Sequence, residues 1–346
     1  MLAVVLEKIG EYRLKDVPLP EPQEGTVRIK VKACGICRTD YLALTGKRRN
    51  YTPPLITGHE IAGVVDKVGR GVIEWHAGDE VVVAPAGYCG KCHHCRRGLQ
   101  HYCEFGFGIG GDGFEKVYDG GFAEYTIIPA LSLYKKPAGV AFSAAALTEP
   151  LAGSYKGLIE YSQMRIGEDV VIIGAGGMGL LLSQIASAGG AGSVIVIDVE
   201  DYRLKHALDN GATHIINTRD EDAQAKVKEI LPAGPDIIFE AAGALEAAEL
   251  TMALCRRGTR INMFGVTIPG TIPVSPAEIH FKEITMHASF SITPHAMMGA
   301  LRLLEKGLVD PGKLITHIIP LQEFERAMAV MESPERVKVV VGEKTS

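Results

Sequence analysis

Little in this chain of 346 residues is extreme, and what it lacks narrows what it does. It lacks a dominant charge. The formal net charge is −5, from 36 basic and 41 acidic side chains, so it offers no electrostatic footprint for nucleic acid and no pull toward acidic membranes. Cysteine is scarce: seven in a chain of this length do not make a disulfide scaffold. Long apolar runs are missing as well, and the run over 170–173 is stopped by glycine far short of membrane-spanning length. The first residues lack the basic start, apolar stretch and small-residue cleavage site of a secretory signal, and residues 1–8 read as a strand. Internal repeats, low-complexity tracts and disordered linkers are absent too. The expectation is a soluble protein of a reducing compartment, the cytoplasm, with no nucleic-acid or membrane partner.

What is present is an ordinary globular composition, 47% hydrophobic with mean hydropathy +0.12, long enough for two domains with a core each. Residues 1–147 read as mostly β, with β-branched runs at 26–31, 61–68 and 80–84 bounded by Gly, Pro or Asp. Near residue 148 the texture changes. Apolar strands at 170–173, 193–198, 214–216, 236–240, 260–264 and 284–289 alternate with helices at 179–188, 201–210, 222–231 and 245–254. Such alternation specifies a parallel sheet covered on both faces. Residues 148–162 are expected to form a connecting helix with Pro150 in its first turn, and the end of the chain to hold a helix at 294–306 and a strand at 337–341.

Four of the seven cysteines, Cys89, Cys92, Cys95 and Cys103, fall within fifteen residues as C-x2-C-x2-C-x7-C. Short spacers let a tight loop turn its sulfurs inward, which suits a tetrahedral thiolate cage for one Zn²⁺. A disulfide knot is the competing reading, and the composition weighs against it.

Residues 170–179 carry G-x-G-x-x-G between an apolar strand and an apolar-faced helix. In that setting Gly174 allows the tight turn, Gly176 the approach of a pyrophosphate, and Gly179 the close packing of helix on strand. The helix start offers free N–H groups to phosphate. The next strand ends in Asp198, twenty-four residues after Gly174, placed to bind ribose hydroxyls and to repel a 2′-phosphate. NAD is therefore favoured over NADP. Arg203 is either a solvated helix residue or a guanidinium that accommodates a phosphate, and a flavin or nucleotide-sugar site is the competing reading of the whole unit.

A second metal constellation is more scattered. Cys37 offers a thiolate, His59 an imidazole, and Glu60 or Glu149 a carboxylate; three protein ligands leave a fourth position for water or substrate, the catalytic arrangement of zinc. Cys34 is read as a buried small residue rather than half of a C-x2-C site.

Taken in order, Cys37-Arg38-Thr39-Asp40, Gly58-His59-Glu60, Gly78-Asp79-Glu80-Val81, the four-cysteine lobe, the run 119–125, Glu149-Pro150-Leu151 and the glycine turn resemble the zinc-containing medium-chain alcohol/polyol dehydrogenases over essentially the whole length, on the sorbitol/threonine dehydrogenase-like branch. The resemblance implies an α/β protein. A GroES-like, mostly-β catalytic domain (1–148 and 292–346, with a structural zinc lobe at 86–104) joins a Rossmann doubly wound, parallel-sheet NAD-binding domain (149–291). It implies two Zn²⁺ per subunit, NAD, a small-molecule alcohol substrate and a homo-oligomer, tetramer favoured over dimer. By resemblance, Cys37 and His59 ligate the catalytic zinc, with Glu60 direct and Glu149 through water, or the two in exchange. Thr39 contacts the substrate oxygen, so that Thr39, Glu60, Cys37 and His59 form the catalytic set, and Asp40 orients the histidine. The implied cofactor set is Gly174, Gly176, Gly177, Met178, Gly179, Asp198, Arg203, Arg38, Phe264, Val266 and Ser289.

The chain departs from that pattern in places. Leu42 stands where many members carry the histidine that ends a proton relay, which leaves the ribose and solvent, or a side chain such as Tyr41, to end it. Arg38 replaces a glycine common in polyol dehydrogenases and matches an arginine that touches pyrophosphate in alcohol dehydrogenases. Ser291 stands where sorbitol dehydrogenases tend to carry a substrate-binding arginine. The glycine-rich stretch 105–113 looks long, and shapes a pocket mouth or is a surface loop. His93, His94 and His101 are expected on the surface of the lobe, and Arg256 and Arg257 as a solvated helix end. The expected reaction is oxidation of a secondary alcohol (a polyol, a hydroxy-amino acid or a related small polar alcohol) to a ketone. L-threonine 3-dehydrogenase activity and a non-catalytic NAD-binding protein of crystallin type are the alternatives.

Overall fold

The computed structural model describes residues 1–48, 50–111, 113–266 and 270–343 and divides into two compact units. The first comprises residues 1–149, 292–305 and those from 315 on. Its main sheet runs, edge to edge, Leu133–Lys135, Glu80–Val83, Glu60–Val68, Thr26–Gly35, Lys338–Gly342 and Ile315–Ile319, with Tyr125–Pro129 also paired to Thr26–Gly35. The strands that carry Glu60 and lead into Cys37 are thus neighbours, and the closing strand Lys338–Gly342 lies on the other side of Thr26–Gly35. Val, Ile and Leu side chains from these strands bury a core closed by Phe122 against Phe324, ring centroids 5.0 Å apart. A smaller sheet of Ala86–Gly87, Phe107–Ile109 and Lys116–Tyr118 carries the cysteine lobe, so the glycine-rich stretch is partly strand. Phe114, beyond it, lines a small open pocket with Tyr88, His101 and Tyr134.

The second unit, residues 150–291 and 306–314, is built on six parallel strands in the order His214–Asn217, Val194–Asp198, Val170–Ile173, Ile237–Glu240, Arg260–Met263, Thr285–Ala288. The strand Val170–Ile173 is buried at every residue, as expected of a strand covered on both faces. The chain runs outward from it in both directions, which makes its carboxyl end the topological switch point where open α/β sheets take ligands.

Three expectations change. Residues 306–314, expected in the catalytic domain, group with the parallel sheet, where Asp310 N donates to Gln184 Oε1 at 2.9 Å and its carbonyl accepts from Gln184 Nε2 at the same distance. The connecting helix is not continuous: Thr148–Tyr155 gives way to one turn of π-helix, Lys156–Tyr161. Arg256 is not simply solvated, since its guanidinium bonds Asp236 and the carbonyl oxygens of Gly234 and Arg257.

Gly63 shows how tightly the strands of the main sheet approach. A Cβ there would collide with the carbonyl oxygen of Lys30 on the neighbouring strand, and backbone cannot yield as a side chain does. Gly63→Ala is expected to lower stability by about 1–3 kcal/mol, read as a shifted urea midpoint; an unchanged midpoint would show that the strands can part.

Candidate metal centre and dinucleotide site

The metal centre forms where two neighbouring strands end and begin. The strand Thr26–Gly35 runs through Ile36 into Cys37, the N-cap of the short helix Arg38–Leu44. Asp40, fully buried on that helix, accepts from Cys37 N at 3.1 Å through Oδ2. Its other oxygen accepts from Gly58 N at 3.2 Å and lies 3.3 Å from His59 Nδ1. That leaves the other ring nitrogen of His59 for a metal, the orientation a ligating imidazole needs. Gly58, at φ +98°, makes the turn into Gly58-His59-Glu60, and a Cβ on it would press on Cys34 Sγ. Glu60 then opens the strand Glu60–Val68 opposite Gly35, where a Cβ would meet Glu60 Oε2, so the glycine lets the carboxylate keep its present position.

Cys37, His59 and Glu60 bring one donor atom each within 4.8 Å of one another. The set fits a cation. Glu60 Oε2 is buried and has no hydrogen-bond partner. Burial opposes charge on His59, yet Asp40 and Cys37 outweigh it and raise the imidazole pKa well above its usual value, so the pocket favours positive charge. Glu149 does not join that close group. Burial pushes it up to about 7, His59 opposes that shift, and Glu60 adds to it.

Lys338 is the residue that sequence reasoning misses. Its Nζ donates to Glu60 Oε1 at 2.6 Å and to the Ile36 carbonyl at 3.1 Å, and both charged side chains are nearly buried. Burial opposes its charge, but Glu60 and Cys37 more than compensate and hold its pKa above the ordinary lysine value. A lone lysine in the apolar closing strand was the available signal.

The other predicted residues here are placed as follows. Thr39 is half-buried and Arg38 exposed in the first turn of the helix. Leu42 packs against the core. The Tyr41 hydroxyl donates to Glu332 Oε1 at 2.8 Å, which ties the phenol to the C-terminal segment and gives it a partner other than a relay.

In the lobe, the sulfurs of Cys89, Cys92, Cys95 and Cys103 lie within 4.8 Å of one another, and no disulfide joins them. Backbone N–H groups point at them: Cys92 N to Cys89 Sγ and Cys89 N to Cys103 Sγ at 3.3 Å, Cys95 N to Cys92 Sγ at 3.5 Å. The N–H of Cys95 heads the causes that lower Cys92 to about 6, while burial raises Cys95 to about 12. Four sulfurs so close, with backbone donors already favouring thiolates, fit a cation that neutralises them together.

At the switch point the glycines meet distinct geometric demands. Gly174 sits at φ +111° against the backbone of Ala242. Gly176 faces open space, which leaves room for a phosphate, and a Cβ on Gly179 would collide with the Gly174 carbonyl oxygen. The helix Gly177–Ala188 starts here with Gly176 as its N-cap and Met178 in its first turn. Asp198 Oδ2 accepts from Ala175 N at 2.6 Å, and Oδ1 accepts from Val199 N and Glu200 N at 2.8 and 3.0 Å, so the acid is fixed beside the glycine turn. Arg203 Nη1 stands 3.9 Å from Asp198 Oδ1. Beyond the switch point, Phe264 packs edge-on to Phe239, Val266 is exposed, and Ser289 Oγ accepts from Asn262 Nδ2 at 3.1 Å.

Comparison with known proteins agrees with this geometry. Residues 23–138 match the family described as the alcohol dehydrogenase GroES-like domain, and residues 177–306 that described as zinc-binding dehydrogenase. The chain is 33% identical over 337 residues to an L-threonine 3-dehydrogenase of Anaeromyxobacter, 96% of each chain being covered. It is 32% identical over 347 residues to a sorbitol dehydrogenase of Bacillus subtilis, with 99% of this chain and 97% of the relative covered. A zinc-binding dehydrogenase structure from Sinorhizobium meliloti, bound to NADP, superposes with a TM-score of 0.92 at 30% identity and 99% coverage of both chains. With both of its parts matched and relatives aligned along nearly all of its length, the chain belongs to the zinc-binding dehydrogenases.

Proposed function

We propose that the protein oxidises a small polar secondary alcohol, a polyol or hydroxy-amino acid, to the ketone with NAD as hydride acceptor. The observation that carries this reading is the three-donor group Cys37, His59 and Glu60, whose donor atoms lie within 4.8 Å of one another. Three donors leave a tetrahedral position open to substrate, whereas the four thiolates of the lobe close theirs and act as a structural clip. When bound, a zinc ion in the three-donor site supplies Lewis acidity to the alcohol oxygen, and NAD supplies the hydride acceptor. The chain's own residues do the rest. Asp40 fixes the His59 tautomer, and Lys338 balances the charge of Glu60. Glu149 stands by as a second carboxylate for the same metal. The Thr39 hydroxyl takes the alcohol proton and passes it toward ribose and solvent, since Leu42 carries no proton. Arg38 serves the pyrophosphate. Asp198 binds the adenosine ribose, and its charge works against the 2′-phosphate of NADP, the cofactor of the Sinorhizobium structure. L-threonine is the second reading of the substrate, favoured by the relative that bears that name.

A panel of polyols, secondary alcohols, L-threonine and β-hydroxy acids, followed by NADH absorbance, should reveal one preferred class. Chelation or Cys37→Ser should abolish NADH production on it while NADH binding persists. Cys92→Ser should instead lower the melting temperature before it lowers turnover per folded molecule. Full turnover by metal-free protein would sink the mechanism, and a Cys92→Ser variant that melts normally would remove the structural role of the lobe.

Asp198→Ser should move the NAD/NADP preference toward NADP by about tenfold or more, the loss of one charged contact. Competing kcat/KM measurements with both cofactors test this, and an unchanged ratio would count against NAD.

We further place the protein in the reducing cytoplasm as a homo-oligomer, tetramer before dimer. All seven cysteines are free, and no helix among the described residues is long and apolar enough to cross a membrane. Among the described residues the strand Thr285–Ala288 has a neighbour on one side only, and Phe281, Met286 and Phe290 around it are exposed. An unpaired edge with apolar surroundings is a template for pairing with a second copy. Light scattering should give a multiple of the 37.1 kDa chain mass, reduced by Met286→Asp; a monomer at micromolar concentration would refute this.

A further inference from the structure

Away from the metal-centre residues, Lys156, the first residue of the π-helical turn Lys156–Tyr161, is a fully buried cation among the described residues. Its ammonium reaches 134 residues ahead, where Nζ donates to the Phe290 carbonyl at 2.7 Å and lies 3.4 Å from that of Ser291. Nζ also sits 4.9 Å from the centroid of the Tyr161 ring. The same stretch is held a second time, by Asn262 Nδ2, which donates to Ser289 Oγ at 3.1 Å and to the Gly157 carbonyl at 3.2 Å. Both anchors thus tie residues 289–291 to the π turn, and such turns recur at functional sites.

Ser291 needs an anchor. It sits at φ +60°, in the left-handed region that is unfavourable for any residue but glycine and persists only where surroundings enforce it. The segment follows the carboxyl end of the strand Thr285–Ala288, and ligands of open parallel sheets bind outside the carboxyl ends of the strands. A dinucleotide sheet has two halves. The half that holds Gly176 and Asp198 takes the adenosine, so the half formed by Ile237–Glu240, Arg260–Met263 and Thr285–Ala288 faces the nicotinamide.

We propose that Lys156 is a positioning residue for the nicotinamide half of the cofactor: its ammonium fixes the left-handed turn at Ser291 and thereby the placement of residues 289–291 beside that half. This rests on the reading of the protein as a nicotinamide-dependent dehydrogenase. Lys156 is not a catalytic residue, because it acts through the backbone it holds. Its loss should therefore damage one half of the dinucleotide site and spare the other.

The test compares NADH with ADP-ribose, which lacks the nicotinamide, by fluorescence and calorimetric titration of the full chain. Lys156→Met should weaken NADH about tenfold or more and leave ADP-ribose within about twofold. Adding Ser291→Gly should restore part of the loss, since glycine takes the left-handed backbone without strain. Should Lys156→Met fail to fold, Lys156→Arg keeps the charge but displaces the donors, and it should weaken NADH selectively to a smaller degree. Equal weakening of both ligands, or no change in either, overturns the proposal. A wild-type chain that binds ADP-ribose but neither NADH nor NADPH removes the dehydrogenase reading, and the proposal with it.

Discussion

The contact between Lys338 and Glu60 holds the metal centre to the rest of its unit. Cys37, Asp40, Glu60 and Glu149 put four acidic groups into one enclosed region; His59 faces Asp40 there, and Lys338 faces Glu60, Cys37 and Glu149. Removing one partner of a buried ion pair is far more damaging than removing both, because the survivor is left uncompensated. The pair also has a topological effect. Lys338 comes from the closing strand, so the Glu60 carboxylate is tied to a residue 278 positions away. The same strand fixes Ile36, whose N–H donates to the Val339 carbonyl at 2.9 Å, one residue before Cys37. Two neighbours in the ligand set are therefore placed by one strand, through backbone and side chain together.

The ligand geometry then depends on what is left out as much as on what is present. Gly35 makes room for Glu60 Oε2, and Gly58 supplies the positive φ that brings His59 toward Asp40. Across the chain the dinucleotide turn uses the same means: Gly174 and Gly179 permit backbone contacts that no side chain would allow, while Gly176 leaves space free. Rigid sheets supply the positions in both units, and glycine lets polar groups approach them.

How much of this is legible in the sequence follows from range. The alternation of strand and helix, the glycine turn with its following acid, and the cysteine lobe are patterns closed within about thirty residues, a span over which spacing alone fixes geometry. All six parallel strands keep their expected places to within one residue at each end. The carboxylate of the three-donor group is different. Sequence leaves Glu60 and Glu149 both open, and only the sheet register sets Glu60 with Cys37 and His59 while Glu149 stays outside the close group. The partners of Lys338 and Lys156 are not legible, since a lysine in a strand or a helix gives no sign that its partner lies 278 or 134 positions away. The π turn is hidden for the same reason: residues 148–162 read as an uninterrupted helix, and nothing local marks the point at which Lys156 turns inward.

These two buried lysines differ in a way that separates their roles. Lys338 faces a carboxylate, and that attraction outweighs the cost of burial, so its pKa stays above the ordinary value. Lys156 is stabilised mainly by carbonyl dipoles, which solvate an ammonium without neutralising it, and burial lowers it to about 8 against the pull of Glu160. A cation that must remain charged belongs beside metal-ligating anions, where its loss would alter the charge of the ligand set. A cation held mainly by carbonyls contributes direction rather than charge, because its N–H bonds fix where a backbone segment lies whether or not a third proton is present. The chemistry of each partner thus sets one lysine against the charge of the three-donor group and the other to hold the backbone at residues 290–291.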